Sequence, residues 1–506
     1  MSRDTLVHAL ARSAEACPDR AALILGPRAV SYARLYHMAA ALAEHLAARG
    51  LAVGDRVALL SRNSPEYAAA YYGIQAAGGV AVALNVEAKA RDLGNWLRHC
   101  EARWLIADAR HPELPQLLAQ PHDWCIILIG EVPPGLDVEP HEAFGDIVDA
   151  AHEPRLAARA AGDELAAIIY TSGTTGEPKG VTLSHRNLYA NIQSILSYLR
   201  LADDEIIVNV LPFYYSYGNS ILHTHVAVGG TIVLENSLLY PQRVLQSLAR
   251  HRATGFSGVP STFTLLLGRA RVEAHDLSAL RYVTQAGGPL APSYIRRWRE
   301  LVPHARFFVM YGQTEASARL TWLPPERLDE KMGSVGIPIP GVEIELRDEH
   351  GQVVPEGETG EIWARGENIM QGYWRNPERT AETIVDGWLR TGDLARRDAD
   401  GFLYIVGRNA DMIKSGAHRI HPKDIEEAIS ELDGVVEVAV VGVPDELLGQ
   451  VVKAVIVAAP DSGLDERRVK AHCRERLAQY KVPRTVEFVE ELPKTASGKI
   501  RRFMLA

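Results

Sequence analysis

Residues 170–181 read Tyr170-Thr-Ser-Gly-Thr-Thr-Gly-Glu-Pro-Lys-Gly-Val181 and follow the apolar run 166–169. Three glycines, Gly173, Gly176 and Gly180, allow backbone conformations closed to other residues and let the main chain approach an anion closely. The hydroxyls of Thr171, Ser172, Thr174 and Thr175 and the amine of Lys179 add donors. This composition suits a polyphosphate. It is not the P-loop of the common NTPases, which places Lys and then Ser or Thr directly after a glycine; here Gly176 is followed by Glu177-Pro178. A different nucleotide-binding fold is implied.

Outward from this stretch, short β-branched runs (56–60, 80–84, 104–106, 166–170, 206–210, 231–234) alternate with longer Ala/Leu-rich helical patterns. The alternation predicts an α/β architecture of layered sheets. Ser64-Pro65-Glu66 reads as a capped helix start and Gly78-Gly79 as its stop before the strand at 80–84. From about 334 to 407, Gly, Pro and short strands (342–346, 360–364, 402–405) predict a small β-rich subdomain. Beyond 408 the pattern predicts a compact α+β unit: helix 422–431, strands 435–443 and 451–458, helix 464–477, strand 485–488. The expected division is a large N-terminal region over 1–407 and a C-terminal domain over 411–506.

The 506 residues exceed one compact core and correspond to roughly three folding units. A 47% hydrophobic and 23% charged composition is that of a globular enzyme. A net charge of -9 argues against nucleic acid as a partner, because phosphate-backbone binding needs a basic face. The four cysteines, Cys17, Cys100, Cys125 and Cys473, lack metal-ligand or disulfide spacing, which fits a reducing compartment. Arg3, Asp4, Arg12 and Glu15 leave no apolar signal region, so the cytoplasm is expected. Stretches 67–86 and 206–234 lack Asp, Glu, Lys and Arg, but Gln75, Asn85, Asn209, Pro212 and His223 mark them as interior segments rather than membrane spans.

A second cluster, Met310-Tyr-Gly-Gln-Thr-Glu-Ala316, ends the apolar run 307–310 at an expected strand end, where ligands bind in α/β sheets. Tyr311 is suited to stack on a base, Thr314 to contact a phosphate and Glu315 to hold Mg²⁺. In order along the chain there follow or flank it Gln285-Ala-Gly-Gly-Pro289, Lys331-Met-Gly-Ser-Val-Gly-Ile-Pro-Ile-Pro-Gly341, Gly387-Trp-Leu-Arg-Thr-Gly-Asp393, Gly407-Arg-Asn-Ala-Asp-Met-Ile-Lys414 and Leu492-Pro-Lys-Thr-Ala-Ser-Gly-Lys-Ile500. With these motifs, essentially the whole chain resembles the adenylate-forming superfamily of acyl-CoA synthetases, luciferases and peptide-synthetase adenylation domains. Its pattern is closest to the acyl- or aryl-acid ligases.

The resemblance implies ATP-dependent activation of a carboxylic acid to an acyl adenylate, with pyrophosphate leaving with Mg²⁺. It assigns nucleotide binding to Thr171, Ser172, Gly173, Thr174, Thr175, Gly176 and Lys179, to Gly287 and Gly288, and to Tyr311, Gly312 and Thr314. Asp393 and Arg408 would hold the ribose hydroxyls, Glu315 and Thr171 the metal, and Thr175 and Glu315 would serve the chemistry. Lys499 would bridge the substrate carboxylate and the α-phosphate, where a cation offsets the charge building on the phosphoryl oxygens. Lys414 resembles the lysine of the second half-reaction, so a mobile C-terminal domain hinged at 408–410 would present the two lysines in turn.

Three departures qualify this. Ala410 stands at the hinge where Asp or Lys is normal, Ala417 where thioester-forming members carry glycine, and Tyr215 where many carry a gating histidine. The expected acceptor is the thiol of CoA, with a carrier-protein phosphopantetheine arm or a non-thiol nucleophile as alternatives. A catalytically inactive nucleotide-binding protein is the remaining alternative, and the presence of Lys499 and Glu315 speaks against it. The acid pocket is expected around Tyr214, Tyr215, Tyr217, Gly218 and Asn219, with Gly287 and Gly312, beside Phe213 and Ser220. No Asp occurs in 206–234 to pair with an ammonium, so an aryl or medium-length acyl acid is expected rather than an α-amino acid. His223 and His225 read as satisfied interior histidines, not a metal pair. A monomer and a homodimer both fit the sequence.

Overall fold

The computed structural model describes residues 4–136, 138, 140–171, 179–408, 411–415, 418–445, 448–460, 462–494 and 500–506. Two large sheets dominate. One has nine strands in the order Ile337–Pro338, Thr321–Leu323, Arg306–Tyr311, Tyr282–Gln285, Gly255–Gly258, Ile206–Asn209, Thr231–Leu234, Ala21–Leu25 and Arg28–Ser31. The other has eight, from Gly372–Tyr373 through Lys179–Ser184, Leu165–Thr171, Val80–Ala83, Arg56–Leu60, Trp104–Asp108 and Cys125–Ile129 to His141–Ala143. The inner strands of both pair mainly in parallel and are buried except at some ends, as apolar runs between helices require.

The helices packed between these sheets carry the charge-free stretches. Helix Pro65–Ala76 starts where Ser64 Oγ accepts the Tyr67 amide at 3.0 Å, and every one of its residues but Glu66 is buried. It ends just before Gly78, whose φ of +85° suits glycine. Helix Ser216–Val228 holds the two histidines. His225 Nδ1–H donates to the Ile221 carbonyl and Nε2 accepts the Tyr282 hydroxyl, each at 2.9 Å. His223 bonds only Tyr72, at 2.9 Å, and its Nε2 has no partner among the described residues, so one of the two expected satisfied histidines is half satisfied. Burial pushes His225 down to about 4 and His223 to about 3, keeping both neutral.

A third sheet, of five strands, is built from Val342–Arg347, Gly360–Gly366, Trp388–Arg397, Ile384–Val385 and Leu403–Arg408, so that Arg408 ends a strand. The segment 334–407 is less self-contained than its composition predicts. Ile337–Pro338 and Gly372–Tyr373 extend the two large sheets, held there by Thr321 Oγ1 on the Val335 carbonyl (2.6 Å) and Thr182 Oγ1 on the Gly372 carbonyl (2.7 Å). Lys331 and Ser334 fasten the same junction, Lys331 through Asp398 at 3.0 Å and Ser334 through the Leu403 carbonyl at 2.8 Å.

Past residue 411 a five-stranded sheet carries helices Pro422–Ser430 and Glu466–Arg476. The second helix begins two residues later than its apolar pattern suggests, because Asp465 takes the cap position and accepts the Arg468 amide at 2.7 Å. The hairpin Ile413–Ser415 and His418–Ile420 was not anticipated. This unit has its own apolar core of Ile413, Ile420, Ile425, Ile429, Val440 and Ile456. Two described hydrogen bonds tie it to the rest: Lys423 Nζ to the Ile405 carbonyl (2.6 Å) and Tyr294 Oη to the Val436 carbonyl (3.2 Å). Among the described residues no helix is long and apolar enough to cross a membrane.

Gly218 marks a very tight approach near the expected acid pocket: a Cβ there would lie 2.1 Å from the Pro212 carbonyl oxygen. Gly218→Ala should therefore destabilise the protein by about 1–3 kcal/mol, read as a lowered urea midpoint. An unchanged midpoint would contradict this packing.

Candidate active site

Parallel strands Tyr282–Gln285 and Arg306–Tyr311 are neighbours, so the segments that follow them emerge side by side at one end of the sheet. After the first, Gly287 takes a φ of +88° and Gln285 Nε2 pins the loop by donating to the Gly288 carbonyl at 2.7 Å. After the second, Gly312 packs so closely that a Cβ would sit 2.1 Å from the Ala318 carbonyl oxygen. The chain then makes a single 3₁₀ turn, Thr314–Ala316, which presents Glu315.

Tyr311, Asp393 and Arg408 come together. Asp393 and Arg408 are directly opposed across antiparallel strands, which explains the 2.9 Å contact between Arg408 Nε and Asp393 Oδ1. The Tyr311 hydroxyl donates to Asp393 Oδ2 at 2.6 Å from the other sheet. Asp393 itself is 4% exposed, whereas Arg408 keeps one edge in solvent. Burial, reinforced by the adjacent Asp393 charge, pushes the Tyr311 phenol well above its usual range. The Asp393 charge likewise raises Arg408. Asp393 therefore presents a carboxylate fixed from both sides at the edge of the cleft.

Glu315 is tied to the hairpin that carries the phosphate-loop motif. Strand Gly372–Tyr373 pairs with Lys179–Ser184, and the Tyr373 hydroxyl donates to Glu315 Oε1 at 2.9 Å. Oε2 has no partner among the described residues. Magnesium takes one or two carboxylates plus substrate phosphates rather than an all-protein cage, so this single hard oxygen fits it. Among the described residues no cluster of three or more His, Cys, Asp or Glu is placed to hold a metal ion. Thr171 and Lys179 face each other as the last and first described residues of the two hairpin strands.

The aromatic wall divides. Phe213 is fully buried against Tyr67 at 5.7 Å and belongs to the core, and Tyr214 is also buried, stacked obliquely on Tyr215 at 4.7 Å. Tyr217 Oη reaches Thr284 Oγ1 at 2.8 Å, which in turn meets Ser257 Oγ at 2.7 Å. Ser216 Oγ lies 3.3 Å from Thr314 Oγ1, linking helix Ser216–Val228 to the turn after strand Arg306–Tyr311. Asn219 is buried and its Nδ2 has no hydrogen-bond acceptor among the described residues, whereas Ser220 spends its hydroxyl on the Tyr217 carbonyl of its own helix. Lys414 projects into solvent from strand Ile413–Ser415, its amide held by Gln450 Oε1 at 2.9 Å. Ser172, Gly173, Thr174, Thr175, Gly176, Ala410, Ala417 and Lys499 lie outside the described residues. Sequence reading missed Tyr373, Thr284 and Arg319, whose roles come only from what folding brings beside them.

Two adjacent strand-end loops and a bracketed buried carboxylate lie ahead of a separate C-terminal unit, and the chain belongs to the family of AMP-binding enzymes. Residues 10–374 match the AMP-binding enzyme family and residues 424–499 match the AMP-binding enzyme C-terminal domain. It is similar to a feruloyl-CoA synthase of Amycolatopsis sp, 37% identical over 491 residues that cover 97% of this chain and 96% of the relative. Among solved structures it resembles the anthranilate CoA ligase AuaEII in complex with anthranoyl-AMP, with a TM-score of 0.92 and 30% identity over 99% of this chain and 96% of that one. It also resembles ATP-bound MatB from Rhodopseudomonas palustris, with a TM-score of 0.89 and 32% identity over 99% and 98% of the two chains.

Tyr311→Phe removes the hydroxyl from a buried carboxylate without changing its shape otherwise. The expected loss is about 1.5–3 kcal/mol of folding stability by chemical denaturation, the usual worth of a hydrogen bond to a charged group. No loss would mean that the contact carries nothing.

Proposed function

We propose that this AMP-forming ligase activates an aryl or medium-length carboxylic acid with ATP and passes the acyl group to the thiol of CoA. The observation that carries the proposal is the Asp393 carboxylate, bracketed by Tyr311 and Arg408 beside the two strand-end loops, because this arrangement suits a ribose diol next to a base and a phosphate chain.

Asp393 accepts hydrogen bonds from the ribose hydroxyls while Arg408 holds it in place. Tyr311 borders the base, Thr314 and the loop 171–180 hold the phosphates, and Glu315 with Thr171 holds Mg²⁺. Bound there, the metal offsets the charge of the departing pyrophosphate. A carboxylate oxygen of the acid attacks the α-phosphorus, forming the acyl–phosphate bond as the bond to the β-phosphate oxygen breaks. Lys499 stabilises the charge that builds on the phosphoryl oxygens. The thiolate of CoA then attacks the acyl carbon, and AMP leaves with the electron pair of the broken carbon–oxygen bond.

Lys414 serves this second step after the C-terminal domain turns about residues 408–410. Its separate apolar core and the two described hydrogen bonds across the junction suit such a movement. The absence of Asp from 206–234 disfavours an α-amino acid, and the feruloyl and anthranilate ligases among the relatives favour an aryl one. Four cysteines in no disulfide suit the cytoplasm.

ATP–pyrophosphate exchange over a panel of acids tests the first step, and acyl-CoA formation tests the second. Lys499→Ala should lower exchange about 100-fold or more. Lys414→Ala should leave exchange intact and slow only acyl-CoA formation. Equal loss of both steps in both variants would overturn the division of labour, and silence with every acid would overturn the function.

A further inference from the structure

Arg319 is 3% exposed, yet it forms no ion pair with any described residue. Its Nε has no hydrogen-bond partner, and Nη1 reaches only the carbonyl of its own neighbour, Ala318, at 3.3 Å. The guanidinium lies over the Tyr217 ring, its central carbon 4.2 Å from the ring centroid. The Tyr198 hydroxyl also feels its charge and stands as a neutral hydrogen-bonding neighbour, not a counter-ion. An arginine cannot shed its proton to escape burial, and an aromatic face offsets only part of the lost hydration. The charge is therefore incompletely answered by the protein.

The backbone that presents it is also unusual. Ser317 and Ala318, the two residues before it, have φ values of +58° and +145°, conformations that side-chain-bearing residues rarely adopt. Asn368 holds them there: its Nδ2 donates to the Arg319 carbonyl at 2.8 Å and its own carbonyl accepts the Ser317 hydroxyl at 2.7 Å. This loop begins at Gly312 and Glu315, on the proposed nucleotide side, and delivers the guanidinium onto Tyr217, on the proposed acid side, where the hydroxyls of Tyr217, Thr284 and Ser257 are linked in a chain.

We propose that Arg319 is a specificity-determining residue that receives a second anionic group at the far end of the acid, so that the preferred substrates are dicarboxylates or aryl acids with an additional carboxylate. The proposal rests on the acid-activating function set out above. A carboxylate offers the planar pair of oxygens that a guanidinium fork binds best, and its arrival would supply the missing counter-charge. The reacting carboxylate cannot be the intended partner at the same time, because it must lie against the α-phosphate beside Thr314. The neighbouring hydroxyls of Tyr217 and Thr284 would fix its remaining lone pairs.

The test is ATP–pyrophosphate exchange with matched pairs: hexanedioate against its monomethyl ester, and benzene-1,4-dicarboxylate and benzene-1,3-dicarboxylate against theirs. In the unmodified protein the free diacid of the best-used pair should exceed its ester at least about tenfold in kcat/KM, as expected when a buried charged partner is left unpaired. Arg319→Met should abolish or reverse that ratio, and Arg319→Lys should keep part of it. A purely structural role would lower both members of each pair alike and leave the ratio unchanged, which would overturn the proposal even if Arg319→Met folds poorly, because Arg319→Lys reports the same ratio. Exchange confined to esters or to other singly charged acids would overturn it alone. Exchange with no acid at all would remove the adenylation reading and this one with it.

Discussion

Asp393 is taken out of water where the β-rich subdomain meets the nine-stranded sheet, and its charge has to be answered there. Tyr311 answers it from the large sheet and Arg408 from the facing strand. Because the two partners come from different sheets, the contact is also a mechanical link. It fixes the end of strand Arg306–Tyr311 against strand Leu403–Arg408, the last described strand before the C-terminal unit. The strand-end loops at Gly287 and Gly312 take their places relative to that carboxylate. So does the 3₁₀ turn that presents Glu315, which is joined in turn to the phosphate-loop hairpin through Tyr373. A buried charge whose partners come from separate elements fixes geometry more strictly than apolar packing, since a small displacement leaves it unpaired.

The acid side shows the opposite arrangement. Arg319 is buried with an aromatic face and a carbonyl but no carboxylate among the described residues. One buried charge meets an opposite charge and a hydroxyl, and the other meets only neutral groups among the described residues, which is why the proposal above gives it a ligand. That contrast separates a positioning element from a recognition element in a single cleft, and the Ser216–Thr314 contact joins the two sides.

Much of the fold was legible because the inner strands are short, mostly apolar runs, and the central helix Pro65–Ala76 carries its own start and stop in Ser64 and Gly78. The strand-end position of Tyr311 followed from the apolar run before it. Less was legible where strands are short and polar: the hairpin Ile413–Ser415 and His418–Ile420 is defined by pairing and not by pattern. The strands Ile337–Pro338 and Gly372–Tyr373, two residues each, are recruited to distant sheets by side-chain hydroxyls that no local signal announces. In the site, Asp393 and Arg408 could be named from their motifs. Arg319 could not, because its meaning lies in the lack of a carboxylate partner among the described residues. A lone arginine between Ala318 and Leu320, just ahead of a buried strand, was the only trace in the sequence.

The most direct measurement is calorimetric binding of ATP and of 2′,3′-dideoxy-ATP to the unmodified protein and to Asp393→Asn. If Asp393 holds the ribose hydroxyls, the substitution should weaken ATP by about 10- to 100-fold, the worth of a hydrogen bond to a charged group, while both proteins bind the dideoxy nucleotide alike. An equal loss for the two nucleotides would place Asp393 in the framework alone and contradict its role at the ribose.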